Sequence, residues 1–293
     1  MTTARVWFGG SGDFTNPDNW TPSGVPQAGE QAIVNAGTVK VSFQDLRQIT
    51  LDVGAPFETV EPTLDLKDSV AGDINLTNGG VPPDASGAQA IDVSGIVIFT
   101  GTIAPSSDLG SATTINLAAD SALLNVGTIV SDTGPGLALG LNIEGGHHAA
   151  VMNQGLIESD VGLAKIEPAV LGTGTIELLA SFAPVPGQVE LGGLVGPGQT
   201  VLFSGQGQAP SALTLQLDEP RAFFGTIAGF SGTDAIELAN TSATSERFHN
   251  GVLTVFNGND VVARLHFTGS FATDQFALSQ SSGNTIITLG TSP

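Results

Sequence analysis

Short runs in which apolar and polar residues alternate account for most of the chain. Gln48–Val53, Leu64–Leu66, Asp73–Leu76, Ala90–Phe99, Thr113–Leu117, Ala122–Val130, Leu137–Ile143, Gly174–Leu179 and Gln188–Leu191 read as strands, each bounded by Gly, Asn, Asp or Pro. A recurring phrase overlies this alternation. Gly-Thr-Ile stands at Gly101–Ile103, Gly127–Ile129, Gly174–Ile176 and Gly225–Ile227, with a degenerate copy at Gly155–Ile157. The first steps between copies are 26, 28 and 19 residues. A longer echo, Asn125–Asp132 and Asn153–Asp160, is offset by 28. Self-similarity at such a period marks a solenoid, and β-branched strands without helical segments between the copies make it a β-helix. Strands of about 4–6 residues with a turn at each corner give coils of about 20–28 residues, the inward Ile, Leu and Val stacking into one core. The segments Gly79–Gly87 and Gly134–Gly140 read as insertions looped out at corners.

The two ends differ from the middle. Residues 1–45 carry both tryptophans, Trp7 and Trp20, with Phe14, in a Gly-rich and turn-rich frame. Large apolar rings there suit a cap, because an uncapped solenoid exposes core and unpaired strand edges. The alternatives are an end-to-end assembly surface and a platform for stacking sugars. Residues 46–222 form the β-helix body. Residues 223–293 are richer in Phe (Phe223, Phe224, Phe230, Phe248, Phe256, Phe267, Phe271 and Phe276) and alternate as antiparallel strands at Gly251–Phe256, Val261–Phe267 and Thr285–Leu289. Asn257-Gly258 is a hairpin signal between two of them. This part reads as an antiparallel β module covering the last coil.

Charge narrows the partners. Eight Lys and Arg face 28 Asp and Glu, a net charge of −20, and no Lys or Arg lies between Lys67 and Lys165. Such a surface repels nucleic-acid phosphates and anionic membranes. With 41% apolar residues the chain is too hydrophobic for a disordered one. No apolar run reaches the length of a membrane-spanning helix, and the first residues carry no signal-peptide pattern, so export without a cleaved N-terminal signal is expected. The absence of Cys removes disulfides, thiolate zinc sites and thiol catalysis.

Candidate chemistry is sparse. Asp13, Asn16 and Asp18, with Asn19, crowd oxygen donors into one Gly/Pro turn, a setting for calcium or for ordinary Asx turns. His147-His148 follows two glycines and reads as a solvent-facing turn, and His266 should face solvent between Leu265 and Phe267. Asp52, Asp65, Asp68, Asp73, Asp92, Asp120, Asp132, Glu144, Glu158 and Asp160 would approach one another across stacked coils, the raw material of a glycosidase pair. A polyuronate lyase would need more cations than this chain has. No Gly-x-Ser-x-Gly nucleophile elbow occurs.

Three passages carry a resemblance. Trp7-x-Gly9-Gly10-x-Gly12-Asp13-Phe14 with Asn19-Trp20 and Gly24-Val25-Pro26 resembles N-terminal repeat segments of secreted bacterial proteins of the autotransporter-passenger and haemagglutinin kind. Asn125-x-Gly127-x-Ile129 and Asn153-x-Gly155-x-Ile157 resemble the coils of their β-helices. Phe224–Phe230 with Asp234-x-Ile-Glu-Leu238 resembles a terminal module of type I-secreted adhesins. The resemblance implies a right-handed parallel β-helix displayed outside a bacterial cell. It transfers no activity, since such scaffolds carry adhesion, matrix and enzymatic roles alike. The chain departs from those proteins in having no membrane-embedded C-terminal barrel and no Gly-Gly-x-Gly-x-Asp calcium array. The expected function is a non-catalytic surface solenoid in adhesion, extracellular matrix or self-assembly, binding itself or an extracellular glycan. The alternatives are a glycan depolymerase on the same fold and a calcium-dependent carbohydrate-binding module.

Overall fold

The structure, a computed structural model, describes residues 3–8, 10–54, 62–76, 89–105, 113–132, 139–180, 187–205, 212–272 and 274–290. The insertion expected at Gly79–Gly87 and most of that at Gly134–Gly140 lie outside these. The chain winds as a parallel β-solenoid with three faces. On the first face Gln31–Val34, Thr50–Val53, Ile74–Leu76, Thr102–Pro105, Thr128–Asp132, the first half of Leu156–Ile166 (which turns at Gly162 onto the second face), Thr175–Ala180, Thr200–Gly205 and Thr226–Ala228 follow one another along the stack. Neighbouring strands pair in parallel; Ile103, Ile129, Ile157, Ile176, Val201 and Ile227 fall in one column. The second face runs from Ser11–Asp13 through Thr63–Lys67 and Thr113–Leu117 to Ala235–Leu238. The third is shorter: Asp45–Leu46, Val70–Ala71, Ile96–Phe99, Ala122–Asn125, Ala150–Asn153 and Ala169–Leu171.

The repeated phrase has a residue-by-residue cause. Each Ile of the column is buried in the core at 0–1% exposure, and each Thr points outward beside it. The Gly sits at the corner, where coils approach most closely. A Cβ on Gly127 would overlap the Gly101 carbonyl oxygen, and one on Gly155 would overlap that of Gly127. Those same carbonyls accept the amides of Thr128 and Leu156 at 2.9 Å. Only a residue without a side chain lets the hydrogen bond form at that corner.

Two strands expected to be continuous turn a corner instead. Ala90–Phe99 breaks at Gly95, whose φ of +67° belongs to the left-handed region, and Asp68 Oδ1 accepts the next amide, Ile96 N, at 3.0 Å. Ala122–Val130 breaks at Val126-Gly127. Alternation continues through both corners, so the pattern alone does not reveal them.

Both ends are finished by antiparallel strands. Trp20–Thr21 pairs antiparallel with Ala4–Trp7, the first strand of the stack. At the other end Asn284–Leu289 pairs antiparallel with Ala235–Leu238 and with Phe276–Ser281. Asp260–Phe267 follows Thr226–Ala228 in parallel and then carries Val252–Asn257 and Ser245–His249 as an antiparallel meander. The expected hairpin is present, with Asn257 opposite Asp260 and Gly258 at φ +61°. Phe203, Phe230, Phe248, Phe267, Phe271 and Phe276 interlock over the last coil with centroids 5.1–6.4 Å apart. One apolar core runs without a break from Trp7 to Ile287.

Candidate functional site

The N-terminal aromatic group is core. Trp7, Phe14 and Trp20 are 4%, 2% and 2% exposed. Trp20 meets Trp7 edge-on at 5.1 Å and Phe14 at 5.2 Å, and its Nε1 donates to the Phe14 carbonyl at 2.8 Å. Gly12 has no side chain because a Cβ there would press on the Trp7 ring at 3.3 Å and on Asn19 Nδ2 at 2.7 Å. The rings are buried edge to face against one another, so neither a sugar nor a second chain can stack on them. The rings exposed in this segment, among the described residues, are Phe8 and Phe43.

Asp13 and Asn16, two of the calcium candidates, spend side-chain oxygens on local turns. Asp13 Oδ1 accepts Thr15 N at 2.8 Å and Thr15 Oγ1 at 2.6 Å, and these bonds hold its carboxyl below the ordinary carboxylate range. Asn16 Oδ1 accepts Asp18 N at 3.1 Å as the cap of the short helix Pro17–Asn19. The Asn19 side chain donates to the Asp13 carbonyl. Among the described residues no three His, Asp or Glu side chains form a group able to hold a metal ion. The arrangement is that of Asx turns.

The acidic side chains are distributed along the coils. On the second face Lys40, Asp65, Asp92, Asn116 and Glu144 stand in one outward column, and Asn116 donates to Asp92 Oδ1 at 2.8 Å. On the first face Asp52 lies between Gln31 and Asn75 and accepts from both side chains. Asp68 and Asp73 cap corner amides, and Asp120 lies 3.2 Å from His148 in an exposed turn. The surface cavity of about 460 Å³ beside Asp45, Arg47 and Gln48 holds one carboxylate. The Arg47 fork on Asp45 pushes its pKa down to about 2, too low for a general acid at neutral pH. His147, His148, His249 and His266 are exposed.

Two surface features were not legible in the sequence. The first is the outside of the third face. Its outward columns are Val70, Ile98, Leu124, Met152 and Leu171 beside Ile96, Ala122, Ala150 and Ala169. From Val70 to Leu171 its strands contain no charged residue, whereas both other faces carry Asp, Glu or Lys in their outer columns. Ile96 is 60% exposed. The alternation that signals one solvated face fails here, because the outward positions are themselves apolar.

The second is a cavity of about 230 Å³ lined by Arg221, Phe223, Phe224, Val261, Ala263, Arg264 and His266. The short helix Pro220–Ala222 supplies Arg221, and Asp260–Phe267 supplies Arg264 and His266 on one side of the strand. An isolated bridge of Phe223 to Val195 turns Phe223 inward and leaves Phe224 half exposed. The contributing segments are some 40 residues apart, so no local signal announces the site.

No family model matches the chain, and no curated protein matches it. Among the described residues no helix is long and apolar enough to cross a membrane.

Proposed function

We propose that the protein is an extracellular, non-catalytic β-solenoid, a structural or adhesive rod whose copies pack side by side through the third face. The observation that carries this reading is the charge-free outer surface of that face from Val70 to Leu171 on a chain of net charge −20. Two copies repel one another where their acidic outer columns meet, and the apolar columns of the third face escape that repulsion. Five successive strands from Val70–Ala71 to Ala169–Leu171, at about 4.8 Å each, give a strip roughly 20 Å long. A contact of that extent belongs to the weak, reversible class, and many such contacts between neighbouring rods add up by avidity. Side-by-side packing also agrees with the ends, where antiparallel strands cover the first-face edge at Ala4–Trp7 and the second-face edge at Ala235–Leu238. The placement outside a bacterial cell rests on the resemblance of the Trp7–Pro26 and Phe224–Leu238 passages to secreted surface proteins.

Sedimentation velocity over a wide concentration range tests the reading. The wild-type chain should self-associate reversibly, and Leu124→Glu with Met152→Glu should remain monomeric with an unchanged circular-dichroism spectrum. A wild-type chain that stays monomeric throughout would overturn it.

A further inference from the structure

We propose that the cavity between Arg221 and Arg264 binds a carboxylate-bearing sugar, a uronic acid residue of an acidic glycan. The argument begins with charge. Arg5 is paired with Glu30, Arg47 with Asp45, and Lys165 with Glu167 and Glu190. Among the described residues Lys40, Lys67, Arg221, Arg247 and Arg264 lie in no ion pair, although the chain carries 28 carboxylates for eight Lys and Arg. Lys40 and Lys67 stand on the second face, Lys40 opposite Asp65 in the ladder and Lys67 over the Phe43 ring; the three arginines remain free to meet an anion from outside.

They are also gathered. Arg221 and Arg264 line one cavity with His266. Arg264, Thr254 and Arg247 are cross-strand neighbours, which extends the positive row across the meander. A guanidinium presents a planar fork that matches a carboxylate. The imidazole of His266 adds a hydrogen-bonding group for a hydroxyl. The rest of the lining is apolar, and the half-exposed Phe224 ring offers a flat surface to the C–H face of a pyranose. At about 230 Å³ the cavity is smaller than the usual pocket for a drug-sized ligand and suits one ring at a time. Free aromatic carboxylates share this chemistry. The choice of a glycan rests on the extracellular reading above.

Titration calorimetry with tri-galacturonate, its fully methyl-esterified form and benzoate tests the site. The acid trimer should bind, and the ester, which keeps the ring and loses the charge, should bind at least about tenfold more weakly. Arg264→Ala should also lose about tenfold, Arg264→Lys less than that but measurably, and Phe224→Ala should weaken the trimer. Both positions are exposed, so these variants should melt with the wild type. Should a variant unfold, the acid-against-ester comparison on the wild-type chain still decides. Equal binding of acid and ester, trimer binding unchanged in Arg221→Ala/Arg264→Ala, or no binding at millimolar trimer would overturn the proposal. Benzoate binding as tightly as the trimer would overturn the glycan assignment. A chain that sediments as a monomer leaves every one of these outcomes in force.

Discussion

Replacing Asn153 with alanine should destabilise the protein more than the same change at Asn125, one coil below in the same column. Both side chains are fully buried at the corner between the third and first faces. Asn153 Oδ1 accepts Asn125 Nδ2 at 2.9 Å, and its Nδ2 donates to the Thr175 carbonyl at 3.1 Å and to Gln199 Oε1 at 3.0 Å. Truncation removes three hydrogen bonds at about 1 kcal/mol each and strands the Gln199 oxygen, for about 4 kcal/mol in total. Asn125→Ala removes two bonds, to Asn153 and to the Leu156 carbonyl. It also strands Asn153 Oδ1 but removes a buried Oδ1 that has no partner, so the two nearly offset and the net cost is about 2 kcal/mol. Urea unfolding followed by far-ultraviolet circular dichroism measures the difference. Tryptophan fluorescence adds a local probe, since Trp7 and Trp20 both lie in the first coil. If the two variants fall within about 1 kcal/mol of each other, the ladder of amides does not act as described.

The corner glycines should differ in the same graded way. Gly127→Ala forces Gly101 away and should cost several times more than Gly225→Ala, where the nearest atom to a new Cβ is the Gln199 carbonyl oxygen at 3.1 Å; comparable melting temperatures would sink the close-approach account. Glu190 gives a pH test. Burial first, and then the neighbouring Asp218, raise its pKa above the ordinary 4.5, against the pull of Lys165 at 3.4 Å. Lys165 is itself raised chiefly by Glu167, so burial governs Glu190. A carboxyl whose folded pKa is raised is penalised as the anion. Its contribution to stability therefore grows as pH falls from neutral through the raised value toward 4.5, and is lost as pH rises. Glu190→Gln should be at least as stable as the wild type at neutral pH and should gain less on acidification. A less stable Gln variant at neutral pH would show that Lys165 outweighs burial.

The solenoid was legible because its cause is local. Gly for the close approach, Thr for the outer column and Ile for the core must recur at each turn, and they do at residues 101, 127 and 174. Where the phrase is missing, between the copies at 174 and 225, the structure shows a substitute. Gln199-Thr200-Val201 fills the place, and the Gln side chain turns inward to donate to the Asn153 and Leu171 carbonyls. That ladder joins residues 46 positions apart, and spacing along the chain gives no hint of it. The corners at Gly95 and Val126 stayed hidden because alternation survives a turn. The aromatic cap was readable as a group of large rings, but their burial depends on Gly12 and on the antiparallel return of Trp20. The charge-free face and the Arg221–Arg264 cavity depend on which residues the coil brings together, and appear only once the chain is wound.

The parallel stacking has a mechanical consequence. Hydrogen bonds between coils run along the solenoid axis, so a force applied between Ala4 and Leu289 loads the interfaces in series and peels one coil at a time. Each release frees the residues between successive members of the Ile column. Ile129 to Ile157 is 28 residues and Ile157 to Ile176 is 19. At about 3.4 Å per residue these correspond to steps of roughly 95 and 65 Å. The irregular period thus becomes a sequence of unequal extension lengths, a signature by which a stretched molecule would report which coil has just opened.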